Sequence, residues 1–234
     1  MQCKIHNSTQ TCDFEQVTCV SRPYDPVYNC NACERLVAFR QKHRDLQPDW
    51  HNGPVDTWID PDGDDAVRLL IIGMAPGLKG ANRTGRPFTG DYAGDLLFQT
   101  LAKYDFAIGS YAFKQDDGLK LNRCAITNAV RCVPPQNKPV ASEVNNCRPY
   151  LIETLERFKN LEVLMTLGKI AHDTTARTLG TRVASVPFGH NRQHTMGNYT
   201  VLSSYHCSRY NTNTGVLTET MFESVFDNII KITG

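Results

Sequence analysis

The chain has 234 residues, of which 41% are hydrophobic, and its formal net charge at pH 7 is +1. This length and composition suffice for a large domain with a buried core. No apolar run approaches the ~18 residues that a membrane-spanning helix needs, and the first residues lack the apolar segment of a signal peptide. We therefore expect an intracellular protein without membrane contact. The near-zero charge excludes a global attraction to nucleic acid, so such binding would need a local basic patch.

Strands and helices are predicted to alternate along most of the chain. Residues 1–28 show no clear periodicity and are predicted to form a loosely packed extension, followed by a single domain over residues 29–234. A short loop at 30–33 opens a helix, and 50–65 is a loop. Buried strands are predicted at 67–72, 124–130, 162–167 and 200–205, and helices at 91–104, 142–158, 169–179 and 218–232. This alternation is typical of an α/β fold whose parallel sheet is covered on both faces.

The first predicted strand runs directly into a long glycine-rich loop, residues 73–91. Glycine lets the backbone approach a ligand closely. The loop ends in Phe88, Thr89, Gly90 and Asp91, which offer a ring for a flat ligand and a carboxylate for a polar reaction. Cations that suit phosphate lie in this loop and in later ones: Lys79, Arg83, Arg86, Arg131, Arg192 and Arg209. The loop is therefore predicted to hold a ligand.

Polar residues follow the predicted strands at the points where the strands end. Asp91 closes the glycine-rich loop, Asn128 lies at the end of the second strand, and His206 follows the fourth. In open α/β sheets, ligands bind beyond the carboxyl ends of the strands. We therefore expect these three residues to meet on one rim of the sheet.

The chain has nine cysteines, a high count for a reducing compartment, which points to metal or redox chemistry. Cys30 and Cys33 form a C-x-x-C pair, and Cys132 and Cys147 form a second, wider pair. Four thiolates suit either a [4Fe–4S] cluster or zinc. Alternatively, Cys132 and Cys147 are simply small buried hydrophobic residues. Cys124 is predicted to lie in the core, and Cys3, Cys12 and Cys19 have no assigned role.

Three segments resemble the motifs of a known enzyme family. Residues 73–91 look like the first motif of the family-five (type B) uracil-DNA glycosylases, residues 127–135 resemble the middle block, and 205–206 with 211–218 resemble the last motif. The match runs from about residue 30 to the C-terminus. The long first motif is specific to the family. The other two motifs are weak by themselves and support the resemblance mainly because all three occur in the family's order.

The resemblance implies a three-layer α/β/α sandwich with a short, mostly parallel central sheet. It implies an enzyme that flips a deaminated base out of DNA and hydrolyses the bond between the base and deoxyribose. The lesion would be uracil, and in many members also a deaminated purine such as hypoxanthine or xanthine. It further implies a structural [4Fe–4S] cluster on Cys30, Cys33, Cys132 and Cys147, as in the related family-four enzymes. We expect a monomer in the cytoplasm that works at the nucleoid.

The resemblance also suggests roles at the site. His206 would donate a hydrogen bond to the departing base, an electrophilic role. Asp91 would orient water or stabilise the sugar cation, and Asn128 would hydrogen-bond the base edge. A flipped base needs a pocket because its reacting atom is inaccessible in the stack. The expected base-binding residues are Gly73, Met74, Ala75, Phe88 and Asn128, and the expected DNA contacts are Lys79, Arg83, Arg86, Arg209 and Tyr210.

Two departures stand out. Family-four enzymes place Glu at the position of Met74, and the best-known uracil glycosylases place Asp at the position of Ala75. This chain has neither carboxylate, so the motifs do not identify the residue that would activate the water. Cys207 stands where the family usually has Pro, which is expected to loosen the loop that fills the gap left by the flipped base. Arg209 and Tyr210 are candidate wedge residues there.

Simpler interpretations stand beside these. Asp91 precedes a predicted helix and could be only its N-cap. His206 could be a residue at a strand end whose hydrogen bonds are made within the protein, and Asn128 could cap a turn. Phe88 could be a core residue, and the loop cations could be solvated surface charges. For the whole protein, the alternatives are a damaged-DNA-binding module without catalysis and a nucleotide-phosphate-binding enzyme. The last lacks the Gly-Lys-Ser/Thr of a P-loop, because Ile170 follows Gly168 and Lys169.

Overall fold

The structure, a computed structural model, describes residues 24–234, so Cys3, Cys12 and Cys19 lie outside the described residues. Its strands are β1 (Trp58–Ile59), β2 (Leu69–Gly73), β3 (Ala107–Ile108), β4 (Lys120–Leu121), β5 (Cys124–Asn128), β6 (Val163–Leu167), β7 (Arg192–Met196) and β8 (Tyr199–Ser204). Its α-helices are α1 (Glu34–Leu46), α2 (Ala81–Thr84), α3 (Tyr92–Lys103), α4 (Ala141–Arg157), α5 (Lys169–Thr178), α6 (Arg209–Asn213) and α7 (Glu219–Thr233). Among the described residues, no helix is long and apolar enough to cross a membrane.

The main sheet has six strands in the order β1-β5-β2-β6-β8-β7. The four central strands are parallel and correspond to the four predicted runs, which confirms the mostly parallel sheet. The register pairs Gly73 with Asn128, so the ends of β2 and β5 lie side by side. The antiparallel edge strands β1 and β7 were not predicted. β1 has only two residues, and β7 is a largely exposed strand without an apolar run.

Helices cover both faces of the sheet, which confirms the three-layer sandwich. Leu69 and Ile71 of β2 face one core, shared with α3 and α7. Leu70 and Ile72 face the other core, shared with α4 and α5. This alternation follows from the two-residue period of a strand and explains why β2 is apolar throughout.

Residues 24–28, the described end of the predicted extension, pack against the domain rather than lying loose. The carboxylate of Asp25 accepts hydrogen bonds from the backbone N–H and the hydroxyl of Thr57. It also lies 3.2 Å from a guanidinium nitrogen of Arg131. The packed part of the chain therefore begins before residue 29.

Candidate active site

A cavity of about 410 Å³ opens at the carboxyl edge of the parallel sheet. Its lining comes from the loops that follow β2, β5 and β8 and from the start of α3. The structure brings together Asp91, Asn128 and His206 there, and Met74, Ala75 and Phe88 also line the wall. The convergence expected from the strand order is therefore present, although the three polar residues are up to 115 positions apart in the sequence.

Gly73, the last residue of β2, is needed for close packing beneath the cavity rather than as part of its lining. A Cβ at this position would lie 2.4 Å from Oδ1 of Asn128 and 2.7 Å from Cζ of Phe88. Any side chain would therefore displace both groups. The glycine sets the positions of the amide and the ring that face the ligand.

Asn128 is 2% exposed, and no described residue hydrogen-bonds its side-chain amide. It therefore does not serve as a turn cap. Its amide nitrogen and oxygen are not among the fully buried, unpaired side-chain atoms of the described residues, and Asn128 lines the cavity. The amide is thus free to bind a ligand in the cavity with both its donor and its acceptor.

Phe88 serves the core and the cavity together. Its ring is 7% exposed and packs within the core on the α3 side. It also stacks on the imidazole of His206, with ring centroids 6.0 Å apart and planes inclined by 28°. Its backbone has a φ of +55°, a left-handed conformation that costs a non-glycine residue about 1–2 kcal/mol. Strain of this kind persists only where the surrounding structure enforces it.

Burial lowers the pKa of His206 to about 4. The imidazole is therefore neutral at pH 7 and carries one N–H donor. No described residue hydrogen-bonds the ring, so that donor is free for a ligand. The backbone is fixed instead, because the side-chain amide of Asn211 donates to the carbonyl of His206 at 2.8 Å.

Asp91 is both the N-cap of α3 and a wall of the cavity. Its Oδ1 accepts a hydrogen bond from the backbone N–H of Ala93 at 3.1 Å. Its Oδ2 lies against two glycines, since a Cβ at Gly77 would be 2.7 Å from that oxygen and a Cβ at Gly80 only 2.2 Å. Burial raises the pKa of Asp91, while hydrogen bonds from backbone amides oppose that rise. The capping interpretation is thus correct but incomplete.

Four of the expected DNA-contact residues lie at the surface. Lys79 and Arg83 are exposed, and the Nε of Arg83 donates to the carbonyl of Lys79 at 2.8 Å. The guanidinium of Arg209 lies 5.1 Å from the ring centroid of Tyr92 at the cavity mouth. Tyr210 is 73% exposed. Its neighbour in the chain, Arg209, lines the cavity.

Arg86 and Arg131 are different, because the structure buries both. Arg86 is 5% exposed, forms a 2.7 Å ion pair with Asp117 and lies 4.5 Å from the ring centroid of Trp58. Arg131 is fully buried and donates hydrogen bonds to the hydroxyls of Thr57 and Thr154, among others. The DNA-contact role expected for Arg86 is therefore wrong in this structure: its guanidinium holds the loop together and is closed to phosphate.

The four expected metal-binding cysteines surround a second, smaller cavity between α1 and α4. Cys30, Cys33, Cys132 and Cys147 all line it. N–H donors point at three of the sulfurs: Arg40 Nη1 at Cys132 (3.2 Å), Arg131 N at Cys147 (3.4 Å) and Asn146 Nδ2 at Cys33 (3.6 Å). Among the described residues, no group of three or more His, Cys, Asp or Glu residues was found that could hold a metal ion.

Burial raises the pKa of Cys132 to about 11 and that of Cys147 to about 12. Without a metal these thiols would stay protonated at pH 7, and a metal would bind them with release of protons. Cys207 is separate from this set. It is fully buried, and its thiol donates to the carbonyl of Ala93 at 3.3 Å. This contact joins the loop after β8 to the start of α3, and the loosening expected from the sequence stays a prediction.

Sequence reasoning missed several residues that line the cavity, among them Tyr92, Asn137 and Ser208. Tyr92 directly follows Asp91, and Ser208 is the N-cap of α6. Asn137 lies in the proline-rich turn after β5 and has a φ of +55°. The rule that ligands bind beyond the carboxyl ends of strands applies to that turn as well and was the signal available.

The chain is similar to known proteins over most of its length. The family model of the Uracil DNA glycosylase superfamily matches residues 61–229. The Type-5 uracil-DNA glycosylase of Thermus thermophilus is 36% identical, over 88% of this chain and 94% of that protein. The Type-5 enzyme of Pyrobaculum aerophilum is 38% identical, over 83% of this chain and 85% of that protein. A Type-4 uracil-DNA glycosylase of the same organism is 32% identical over 52% of this chain.

Proposed function

The chain belongs to the uracil DNA glycosylase superfamily, and we propose that it is a DNA repair hydrolase that removes uracil from DNA and leaves an abasic site. The observation that carries this proposal is the meeting of Asp91, Asn128, His206 and Phe88 in one cavity. An amide, a neutral imidazole and an aromatic face match the edge and the plane of a pyrimidine. A carboxylate beside them suits the sugar or the attacking water.

In the reaction, the bond between the base nitrogen and C1′ of deoxyribose breaks, and the bonding electrons leave with the base. Asn128 would hold the flipped base by its edge, and Phe88 would support its face. The neutral imidazole of His206 would donate its N–H to a base oxygen, where negative charge grows as the bond breaks. Donors placed in advance at such a charge are worth about 3–4 kcal/mol each.

The second half of the reaction needs water on the opposite side of the sugar. Asp91 is the acidic residue that lines the cavity among the described residues. As a carboxylate it would stabilise the positive charge on the sugar and accept a hydrogen bond from the incoming water. Water adds its oxygen to C1′, and the released proton finally resides on the base or in solvent. Because Met74 and Ala75 have no polar side-chain group, this work would fall to Asp91.

The lesion range would include hypoxanthine and xanthine. Phe88 would contact a base through its face, and stacking accepts purines and pyrimidines alike. The cavity volume of about 410 Å³ leaves room for a deaminated purine. DNA outside the cavity would be held by the exposed cations Lys79, Arg83 and Arg209. Tyr210 would fill the gap that the flipped base leaves.

The four cysteines around the second cavity would hold a structural [4Fe–4S] cluster. Four thiols and three N–H···S donors form the kind of ligand shell such clusters have. When bound, the group would link α1 to α4. Cys132 would tie this region to the segment that carries Asn128. We further propose a cytoplasmic monomer acting at the nucleoid.

The deciding experiment is incubation of the purified protein with duplexes that carry one uracil, one hypoxanthine, one xanthine or no lesion, followed by alkali. We expect alkali-sensitive breaks at uracil, and slower breaks at the deaminated purines. Breaks in the uracil duplex alone would limit the substrate to uracil and contradict the proposed activity on hypoxanthine and xanthine. Tight binding to uracil-containing duplex without any breaks, from protein with its full metal content, would contradict the proposal and favour a damage-sensing module.

Metal content tests the cluster separately. We expect about four iron atoms per chain, together with a broad visible absorbance that Cys132→Ala removes. Cys124→Ala is the matched control, because Cys124 is a buried cysteine of β5. Zinc in place of iron in fully active protein would contradict the iron cluster.

A further inference from the structure

Residues 109–118 of the loop between β3 and β4 pack against the segment 86–91, which carries Phe88 and Asp91. We propose that this 109–118 loop positions those two groups for the reaction, and that Tyr111 is the positioning residue. The inference rests on the proposed glycosylase function. Neither Tyr111 nor the rest of the loop belongs to the cavity wall, and no motif in the sequence marked it.

The hydroxyl of Tyr111 accepts a hydrogen bond from the backbone N–H of Gly90 at 3.0 Å. Gly90 directly precedes Asp91 and has a φ of +90°. The bond therefore fixes the Thr89–Gly90 peptide unit, which lies one unit before the Cα that carries the Asp91 side chain. Without it, the backbone of this turn would keep the bonds to its carbonyls, from the Thr84 hydroxyl to Thr89 at 3.0 Å and from Arg83 to Gly90 at 3.4 Å, and would lose the bond to the N–H of Gly90.

The ring of Tyr111 is itself held in place. Its centroid lies 4.6 Å from that of Phe98, on α3, and 4.7 Å from that of Phe113. The first turn of α3 is shaped to admit the hydroxyl, because a Cβ at Gly94 would lie 2.7 Å from it and 2.1 Å from the carbonyl oxygen of Phe88. One glycine thus makes room for both the tyrosine and the strained phenylalanine.

The same loop also binds the other end of the segment 86–91, through Asp117. Its two carboxylate oxygens accept hydrogen bonds from Nη1 and Nη2 of Arg86 at 2.8 and 2.7 Å. The Nε of Arg86 donates in turn to the hydroxyl of Thr89 at 2.7 Å. Both ends of the segment 86–91 are therefore fastened to one loop.

The attachments through Tyr111 and Asp117 explain how Phe88 is kept in its left-handed backbone conformation. A left-handed phenylalanine needs neighbours that leave it no easier conformation, and the two attachments lie on either side of it. A displacement of about 1 Å in a reacting group can cost about 10²-fold in rate. A loop that touches no substrate can thus influence the reaction.

The test is Tyr111→Phe, which removes the hydroxyl and keeps the ring. Tyr104→Phe is the matched control, because Tyr104 ends α3 and its hydroxyl donates to Asp227 at 2.6 Å, on α7 and outside the cavity. For each variant, we would measure the single-turnover rate of uracil release, the affinity for uracil-containing duplex, the melting temperature and the hydrogen-exchange rate of the Gly90 amide by NMR.

For Tyr111→Phe we expect the rate of uracil release to fall about three- to tenfold, the range that one hydrogen bond supplies. DNA affinity should stay unchanged, and Gly90 exchange should become about tenfold faster. Tyr104→Phe should match the parent in rate and in Gly90 exchange, even if it melts earlier.

Three results would overturn the positioning role: an unchanged rate in Tyr111→Phe, a slower rate without faster Gly90 exchange, or an equal loss of rate in Tyr104→Phe. If the parent protein itself releases no uracil, the proposed function fails instead. The exchange measurement then still decides whether Tyr111 holds the turn before Asp91: faster exchange supports this, and unchanged exchange refutes it.

Discussion

Gly73→Ala should displace the base-binding groups and slow uracil release while the protein remains folded. Gly73 ends β2, where the extended backbone accepts alanine without strain. The new methyl group would lie 2.4 Å from Oδ1 of Asn128 and 2.7 Å from Cζ of Phe88, whereas ordinary contacts begin at 3.4 Å. The amide must therefore retreat by about 1 Å and the ring by somewhat less, a shift that costs about 10²-fold in rate.

The assay is single-turnover release of uracil, with thermal unfolding measured in parallel. Overpacking of this kind should destabilise the fold by about 1–3 kcal/mol, so the variant should remain folded at 25 °C. The matched control is Gly189→Ala, where the added methyl group meets the flexible side chain of Arg192. If Gly73→Ala released uracil at the parental rate, neither Asn128 nor Phe88 would need its observed position, and the reasoning would fail.

Three further predictions concern charge and protonation. Asp91→Asn keeps an N-cap acceptor, so we expect uracil release to fall by about 10²- to 10⁴-fold with the melting temperature preserved, whereas Asp91→Ala should also lose about 1 kcal/mol of stability. Because burial lowers the pKa of His206 to about 4, its titration should give no break in the pH–rate profile near 6.5, and a break there that His206→Gln removes would contradict its neutrality. The unfolded chain protonates this histidine near pH 6.5 and the native chain does not, so its effect on stability should become unfavourable as pH falls from about 6.5 to about 4. Burial alone would raise the pKa of Asp117, but hydrogen bonds from Arg86 and from backbone amides bring it down to about 2. Asp117→Asn should therefore be less stable than the parent at pH 7 by about 2–4 kcal/mol, and chemical denaturation should show this difference shrinking as pH falls from about 4 to about 2.

The sequence by itself determined the layers of the fold and three polar residues of the cavity, Asp91, Asn128 and His206. Strands β2, β5, β6 and β8 are buried along most of their length because helices cover both of their faces, and their apolar segments can be read without coordinates. Asp91, Asn128 and His206 each follow such a run, and strand direction alone brings them to one edge. The glycines of the loop indicated that other groups pack closely against its backbone, but not which side chains these are.

Only the tertiary structure decided what each charged or polar residue outside those runs does. Arg86 reads as a DNA contact in the sequence, yet Asp117 lies 31 positions away and buries it. Tyr111 has no local signal at all, since its role depends on the amide of Gly90 across the fold. The edge strands β1 and β7 were missed for the same reason. Periodicity reports which face of a segment is buried, whereas hydrogen bonds and ion pairs between distant segments depend on how those segments pack, which the local sequence does not encode.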